Sequence, residues 1–479
     1  MKRSVDARQR ELKVHLTVLT DDDGKPIAKD APIPLYEPPV FQDVHQASKS
    51  VVIIGAGPAG LFAALTLLEH GIKPIIYERG KEVSERKKDI ALLNRNEGLN
   101  PESNSCFGEG GAGTFSDGKL FSRSKKRGNM QRVMEFFHYF GAPDTVLYEA
   151  HAHIGSDKLP TIIRTMRELI IAQGGEIHFE TKIESLKQCT INSPIILAIG
   201  HSAHDTYRML ADEGVALETK GFAMGVRIEH PQALINQLMY HRSGSGAKQP
   251  SGTDSLIQFV GNASYSMVTQ VDGRGVYSFC MCPGGHIVPA GSSAESCVVN
   301  GMSASHRNSP FANSGMVVPI NPEDIEGTDP LRGLAYQEML EHLAFEHGQV
   351  PTIAPAQRMR DFVEGKASKS LPACSYLPGI VASRLDEWLP AHIGKRLQQG
   401  FRDFDRKYPG FLTNEAVILG VESRSSSAVR IVRNPETMES VSTPGLYPCG
   451  EGAGYAGGIT SSALDGIHAA MQVISTLDR

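Results

Sequence analysis

"VVIIGAGPAGL", residues 51–61, joins a run of β-branched residues to a glycine turn and then to an apolar helical pattern, and its reading decides the fold. A continuous "VVII" suits a strand buried on both faces, as in a parallel sheet. Gly55 permits the tight turn after that strand, Gly57 lets the backbone approach a diphosphate with no Cβ in the way, and Gly60 allows close helix–strand packing. Pro58 suits a first helical turn, Leu61, Leu65 and Leu68 repeat at helical spacing, and Gly71 supplies a left-handed stop. "KPIIYE" is the second strand, and it ends on Glu78, where a carboxylate accepts hydrogen bonds from a ribose and repels a 2′-phosphate. Strand, turn, helix and acidic residue together predict a dinucleotide site; they do not separate a flavin from a nicotinamide.

The chain has 479 residues, 41% hydrophobic, enough for a large core and two or three domains. A net charge of -5 sets up no field that would draw it to nucleic acid or an anionic membrane. The one basic cluster, "RSKKRG" at 123–128, reads as a solvated loop. Seven cysteines without framework spacing point to reduced thiols and a cytoplasmic protein. No apolar run follows the basic N-terminus, and residues 51–68 are too interrupted by Gly and Pro for a membrane span.

Four segments are expected. Residues 1–48 form an appendage in which "LKVHLTVLT" alternates Val14, Leu16 and Val18 as a half-buried strand, "DDDG" turns, and a Pro-rich linker follows. Residues 49–214 open an α/β domain; its later strand "PIILAIG" runs into a helix that Ser202 and Asp205 would cap and Gly214 would end. Residues 215–412 are an inserted β-rich α+β domain, with helical patterns at 331–347 and 381–405 and a loop at 241–255. Residues 413–479 return to the α/β domain.

The closing stretch "CGEGAGYAGGITSSALDG", 449–466, carries a literal GxGxxG at Gly452, Gly454 and Gly457. A second dinucleotide unit would need another strand with an acidic residue after the helix. Only one helix fits before Arg479, with Ser462 and Asp465 as its expected cap, so this cluster is read as serving the first site. "FGEGGAGTFSDGKL", 107–120, has no strand before it and no clear helix after it; a turn at Asp117-Gly118 and contact with a planar ligand or its diphosphate are expected.

"VVIIGAGPAG", "YERG" and "GLYPCGEGAGYAGGI" together resemble the FAD-binding fold of the glutathione reductase type. "CFGEGGAGTFSDGKL", "LAIGHSAHDTY", "GVRIEHP" and "ANSG" are similar to the FAD-dependent dehydrogenases described as NAD(FAD)-utilising, over most of residues 50–479. The resemblance implies a Rossmann-like domain with bound FAD, and no particular substrate. The cofactor-contacting residues then expected are Gly55, Gly57, Pro58, Ala59, Gly60, Glu78, Arg79, Gly110, Gly111, Asp117, Gly118, Lys119, Gly200, Gly450, Glu451, Gly457, Gly458 and Ile459. It further implies that Glu451 sits near the ribityl chain or diphosphate, and that the helix from Ile459 aims its positive end at the flavin, stabilising a reduced ring.

Flavin supplies the redox chemistry, so the protein need only orient a substrate, tune the ring and supply protons. Candidates are Cys106, Glu109, Cys280, Cys282, His286, Arg424 and Tyr455. Cys280 and Cys282 would share a face of a strand, but they lack the CxxC or CxxxxC spacing of flavin disulfide reductases and read as structural thiols. With His286 they lack a fourth zinc ligand at motif spacing. Arg424 and Arg430, among serines, would hold an anion or simply form a polar loop. The expected function is an FAD-dependent oxidoreductase acting on a small molecule, with NADH or NADPH at most a transient donor. The alternatives are a flavoprotein acting on RNA, which the charge disfavours, and a non-catalytic flavin-binding redox sensor.

Overall fold

The computed structural model describes residues 2–6, 13–17, 36–120, 128–189, 193–240, 260–350 and 352–478. Five parallel strands lie in the order Leu446–Pro448, Ile195–Leu197, Ser50–Ile54, Lys73–Tyr77 and Glu176–His178. Along the chain these are the fifth, fourth, first, second and third strands, the order of doubly wound sheets. That order reverses between Ser50–Ile54 and Ile195–Leu197, and ligands bind beyond the carboxyl ends of strands at such a point.

The helix Pro58–Glu69 is buried from Ala59 to Leu68 rather than along one stripe. It is apolar all round because it is packed against the sheet and against the terminal helix Ile459–Leu477. The two helices approach closely at Ala59 and Gly466, where a Cβ on Gly466 would collide with the Ala59 carbonyl. Gly466→Ala should therefore cost about 1–3 kcal/mol by overpacking. Its thermal midpoint should fall below that of the unmodified chain; an unchanged midpoint would mean that the crossing has room to spare.

A second sheet has seven strands, in the order Ile380–Ala382, Ala354–Arg358, Val417–Glu422, Phe222–Pro231, Phe311–Ile320, Arg274–Cys282 and Val268–Val271. Its pairs are antiparallel except the first. The helix Ala391–Lys407 packs on it through Ile393, Leu397, Phe401 and Phe404. The chain leaves the parallel sheet and comes back along one small ladder, Leu217–Thr219 against Val429–Ile431.

Several local expectations are corrected. Val417–Glu422 lies beyond residue 412 yet belongs to the seven-stranded sheet. The pattern at 381–405 divides into an edge strand, a short helix Leu385–Trp388 and the long helix that starts after Pro390. Among the described residues the strand Lys13–Thr17 pairs with Lys2–Asp6, and on the alternating face Val14 is half-buried while Leu16 is 58% exposed. The helix His204–Asp212 begins after Ala203 with no side-chain cap, and Ser462 and Asp465 lie inside the terminal helix. In both places the carboxylate expected to cap a helix is drawn into an ion pair instead. The basic cluster up to Arg127, the "DDDG" turn and the loop at 241–255 fall outside the described residues. Among the described residues no helix is long and apolar enough to cross a membrane.

Candidate functional site

A cavity of about 680 Å³ opens at the switch point, lined by Ile54 and Gly55 from one strand end and Ala198, Ile199 and Gly200 from the other. Its size is that of a cofactor site. Two helices start on it, Pro58–Glu69 after Gly57 and Ile459–Leu477 after Gly458, and neither has a side-chain hydrogen bond at its N-cap. Their first-turn N–H groups and positive dipole ends are thus left for an anionic ligand. Gly458 has φ +135°, and nothing lies within 4 Å of where a Cβ would stand. At Gly57 a Cβ would meet only the Gly111 Cα, 3.8 Å away.

Of the residues expected at the cofactor, Gly55, Gly57, Pro58, Ala59, Glu78, Arg79, Gly111, Asp117, Gly118, Lys119, Gly200, Gly450, Glu451, Gly457, Gly458 and Ile459 line this cavity. Gly60 and Gly110 do not. Gly60 packs against the Gly55 carbonyl, and Gly110 donates its N–H to the Ala56 carbonyl at 2.8 Å. The literal GxGxxG also divides. Gly452 packs against Gly200 and Gly454 against Val429 and Arg430, while Gly457 alone borders the cavity. No strand follows the terminal helix among the described residues.

Glu78 is buried, and its carboxylate accepts the N–H groups of Ala56 at 2.8 Å, Gly80 at 2.9 Å and Gly108 at 3.0 Å. It ties three loops together, and with about four acceptor positions on a carboxylate, one remains for a ligand hydroxyl. Arg79 is committed differently from the expectation: it forks onto Asp205 at 2.8 Å, binds Glu102 at 2.6 Å and lies 4.1 Å over the Phe107 ring. Lys182 joins Asp205 at 2.6 Å. Burial opposes the charge on Asp205, but hydrogen bonds from Arg79 and Lys182 prevail and hold it well below the usual carboxylate range.

A residue that the sequence reading missed organises the glycine loop. Arg86 is fully buried, and its guanidinium donates to the carbonyls of Asn104 at 2.8 Å, Ser105 at 3.1 Å, Gly108 at 3.3 Å, Glu109 at 2.8 Å and Gly111 at 2.8 Å. Burial pulls it down to about 10, which still leaves it charged at neutral pH. An arginine on the helix Val83–Asn94 signals nothing in sequence, because its partners come from a loop with no regular element.

The chemical candidates separate by position. Cys106 and Arg424 border the cavity. Cys280 borders it too, while Cys282 is fully buried behind it. Glu109 lies on neither this cavity nor its neighbour: it accepts from the Val83 N–H at 2.6 Å and faces Arg167 at 3.0 Å, and burial pushes it up to about 7. Tyr455 stacks under Arg433 at 3.9 Å and lines a separate pocket, and His286 lies at the start of a two-stranded ladder away from both cavities. Arg430 pairs with Glu218 at 2.7 Å, at the surface.

A second cavity of about 610 Å³ adjoins the first, and Cys106, His201, Ser202, Asn300 and Arg424 border both. Its wall combines apolar side chains, Val83, Ile90, Phe115, Pro160, Val288 and Met302, with polar ones, Lys87, Asn94, Asp157, Thr161 and Arg164. At the junction Arg424 binds the buried Glu341 through two bonds of 3.0 and 2.8 Å, and its remaining nitrogen reaches Ser292 at 2.9 Å and the Cys106 sulfur at 3.4 Å. His201 faces Glu451 at 3.5 Å.

This arrangement defines a flavoprotein with two matched regions. Residues 48–192 match the family described as FAD binding domain, and residues 221–425 match that described as FAD-dependent protein, C-terminal domain-like. The chain belongs to the same family as an "Uncharacterized protein" of Clostridium beijerinckii, to which it is 40% identical over 504 residues, covering 100% of this chain and 92% of the relative. Solved structures with partial likeness include the halogenase PltM with FAD (12% identity, 90% of this chain and 69% of that one, TM-score 0.38). Another is CtdE with FAD and a substrate (10%, 90% and 81%, TM-score 0.32). A third is an oxidoreductase from Methanosarcina mazei (11%, 90% and 100%, TM-score 0.33). The cofactor is FAD, and the cavity suits it: two uncapped helix starts face it, and the glycines on its wall leave space where side chains would intrude.

Proposed function

We propose that this chain is an FAD-dependent oxidoreductase that exchanges hydride or electrons with a small molecule held in the second cavity. FAD, when bound, supplies the two-electron chemistry. The observation that carries the reading is that the two cavities meet at polar residues, Cys106, His201, Asn300 and Arg424, and that the second offers both apolar side chains, among them Ile90, Phe115 and Met302, and charged ones, Lys87, Asp157 and Arg164. The junction places donors where a substrate would face the ring, and the mixed wall offers apolar contact and charged partners to one small molecule.

In this reading Gly57, Gly458 and the two helix starts hold the diphosphate and the ring's electron-rich edge, and Glu78 takes a ribose hydroxyl. Arg424, held in place by Glu341 and Ser292, orients the substrate's polar group. His201, bordering both cavities and backed by Glu451, holds or moves the proton. The glutathione reductase-like arrangement and the partition at residues 49–214 and 413–479 around an inserted domain are part of the proposal. The insertion would end after the strand Val417–Glu422 rather than at 412. Among the described residues there is one parallel sheet of this kind, so in this reading NADH or NADPH binds only transiently.

Anaerobic mixing of the yellow holoprotein with NADH, NADPH and a panel of small-molecule reductants tests the reading. Flavin absorbance should bleach with at least one donor in a saturable way. His201→Asn should slow that bleaching by roughly 10²–10⁴-fold with flavin content unchanged. A flavin that no small molecule reduces would favour the sensor alternative and overturn the oxidoreductase reading.

A further inference from the structure

The second cavity, about 610 Å³, has the size of a small-molecule site. Ile90, Phe115, Val288 and Met302 on its wall are each partly exposed, and they belong to none of the three hydrophobic cores formed among the described residues. Ile90 comes from the helix Val83–Asn94, Phe115 from the glycine loop, and Val288 and Met302 from the paired strands His286–Pro289 and Val299–Met302. Apolar surface from three separate segments thus converges on one space that no protein side chain fills. An apolar ligand body would take it out of water.

The ionisable side chains on this wall divide by depth. Arg424 is buried at the junction with the cofactor cavity, where Glu341 matches its charge, and His201 at the same junction faces Glu451. Behind the wall at Gly301 the buried Arg227 is matched by Glu422 at 3.1 Å. Lys87, Asp157 and Arg164 are exposed and so stand at the mouth. The Asp157 carboxylate is taken up by Ser305, accepting from its N–H and its hydroxyl at 2.7 Å each, and Lys158 follows it in the chain. Arg164 has Glu168 for a partner, 3.9 Å away and itself exposed, and Lys87 has no carboxylate partner among the described residues. The acids nearest Lys87 in the chain are spent elsewhere: Glu85 on Lys88 at 2.6 Å, Asp89 on Lys81 at 3.1 Å and Glu82 on Arg167. Lys87, Lys158 and Arg164 against Asp157 and Glu168 leave the mouth net positive.

We propose that the second cavity takes an amphipathic organic anion: a small molecule with an apolar body against Ile90, Phe115, Val288 and Met302, an anionic end at Lys87 and Arg164, and its reacting polar end at Arg424. This rests on the second cavity being the substrate site of the proposed function, and it names the class of substrate that site takes. Charge complementarity sets the direction of the ligand. The Arg424 charge is already matched, so the inner end offers hydrogen bonds to a hydroxyl or carbonyl rather than a net field. A negative charge finds its complement at the mouth, where a cationic end would be repelled.

Titration calorimetry of the holoprotein at neutral pH with octanoate, octylamine and octan-1-ol, chains of one length that differ in the charge of the end group, tests this. Octanoate should bind roughly tenfold more tightly than octylamine. The double substitution Lys87→Met and Arg164→Met should weaken octanoate by roughly five- to tenfold, as the loss of two exposed ion pairs would, and leave octan-1-ol binding unchanged. Octylamine binding as tightly as octanoate, octanoate binding that the double substitution does not weaken, or no saturable octanoate binding at all would each overturn the proposal. Calorimetry reads binding whether or not any donor bleaches the flavin, so a failure of the oxidoreductase reading and a failure of this one are separate results.

Discussion

Arg86→Met should leave the protein unable to retain its flavin and less stable by about 4 kcal/mol, the largest effect expected of any single substitution here. One buried guanidinium satisfies five carbonyls of the 104–111 loop, and methionine satisfies none. Each orphaned carbonyl must find water or move, and movement carries Gly111 away from its contact with Gly57. Arg86→Lys should rescue little, because a single ammonium cannot reach partners spread around a planar fork. Thermal unfolding of the flavin-free variants, together with the flavin retained through gel filtration, checks both statements. A variant that melts with the unmodified chain and stays yellow would show that the loop is held by something else.

Gly57→Val is expected to lose FAD affinity by roughly 100-fold or more while the fold survives; tenfold corresponds to about 1.4 kcal/mol. Gly57 has φ -77°, so the backbone accepts a side chain, and the nearest atom to a Cβ is the Gly111 Cα at 3.8 Å. The added methyls would occupy the space over the helix start where the diphosphate is proposed to lie. Gly60→Val makes the contrast, since its Cβ would strike the Gly55 carbonyl and damage the fold itself. Flavin titration followed by fluorescence, alongside circular dichroism, separates the two outcomes. Unimpaired binding by Gly57→Val would move the diphosphate elsewhere.

The first strand, turn and helix were legible because every interaction that shapes them is local: β-branched run, glycines, proline and leucine period all lie within 51–71. The terminal cluster and the first glycine turn were legible as neighbours, and Gly450, Glu451, Gly457 and Gly458 border the same cavity as Gly55 and Gly57. Pairings between distant segments were not legible. Asp205 and Asp465 were expected to cap helices, but both lie within them, where Arg79 and Lys182 claim the first, and Arg433 together with the Gly450 N–H claims the second. Glu109 looked available for chemistry in a glycine-rich loop and is instead buried against Arg167. Cys280 and Cys282 read as residues of one regular strand face, but a bulge that depends on a partner strand more than thirty residues away intervenes, and only Cys280 borders the cavity while Cys282 is fully buried. Arg86 had no sequence signal at all, since a carbonyl-binding role is defined wholly by its partners.

The central claim is that both glycine clusters build one cofactor site, which holds a single FAD. Nucleotide released by denaturing the purified protein after exhaustive gel filtration, identified and counted against protein, tests it most directly. One FAD per chain, and no nicotinamide nucleotide, is the result expected. A second tightly bound nucleotide per chain, or a colourless protein that takes up no added FAD, would contradict it.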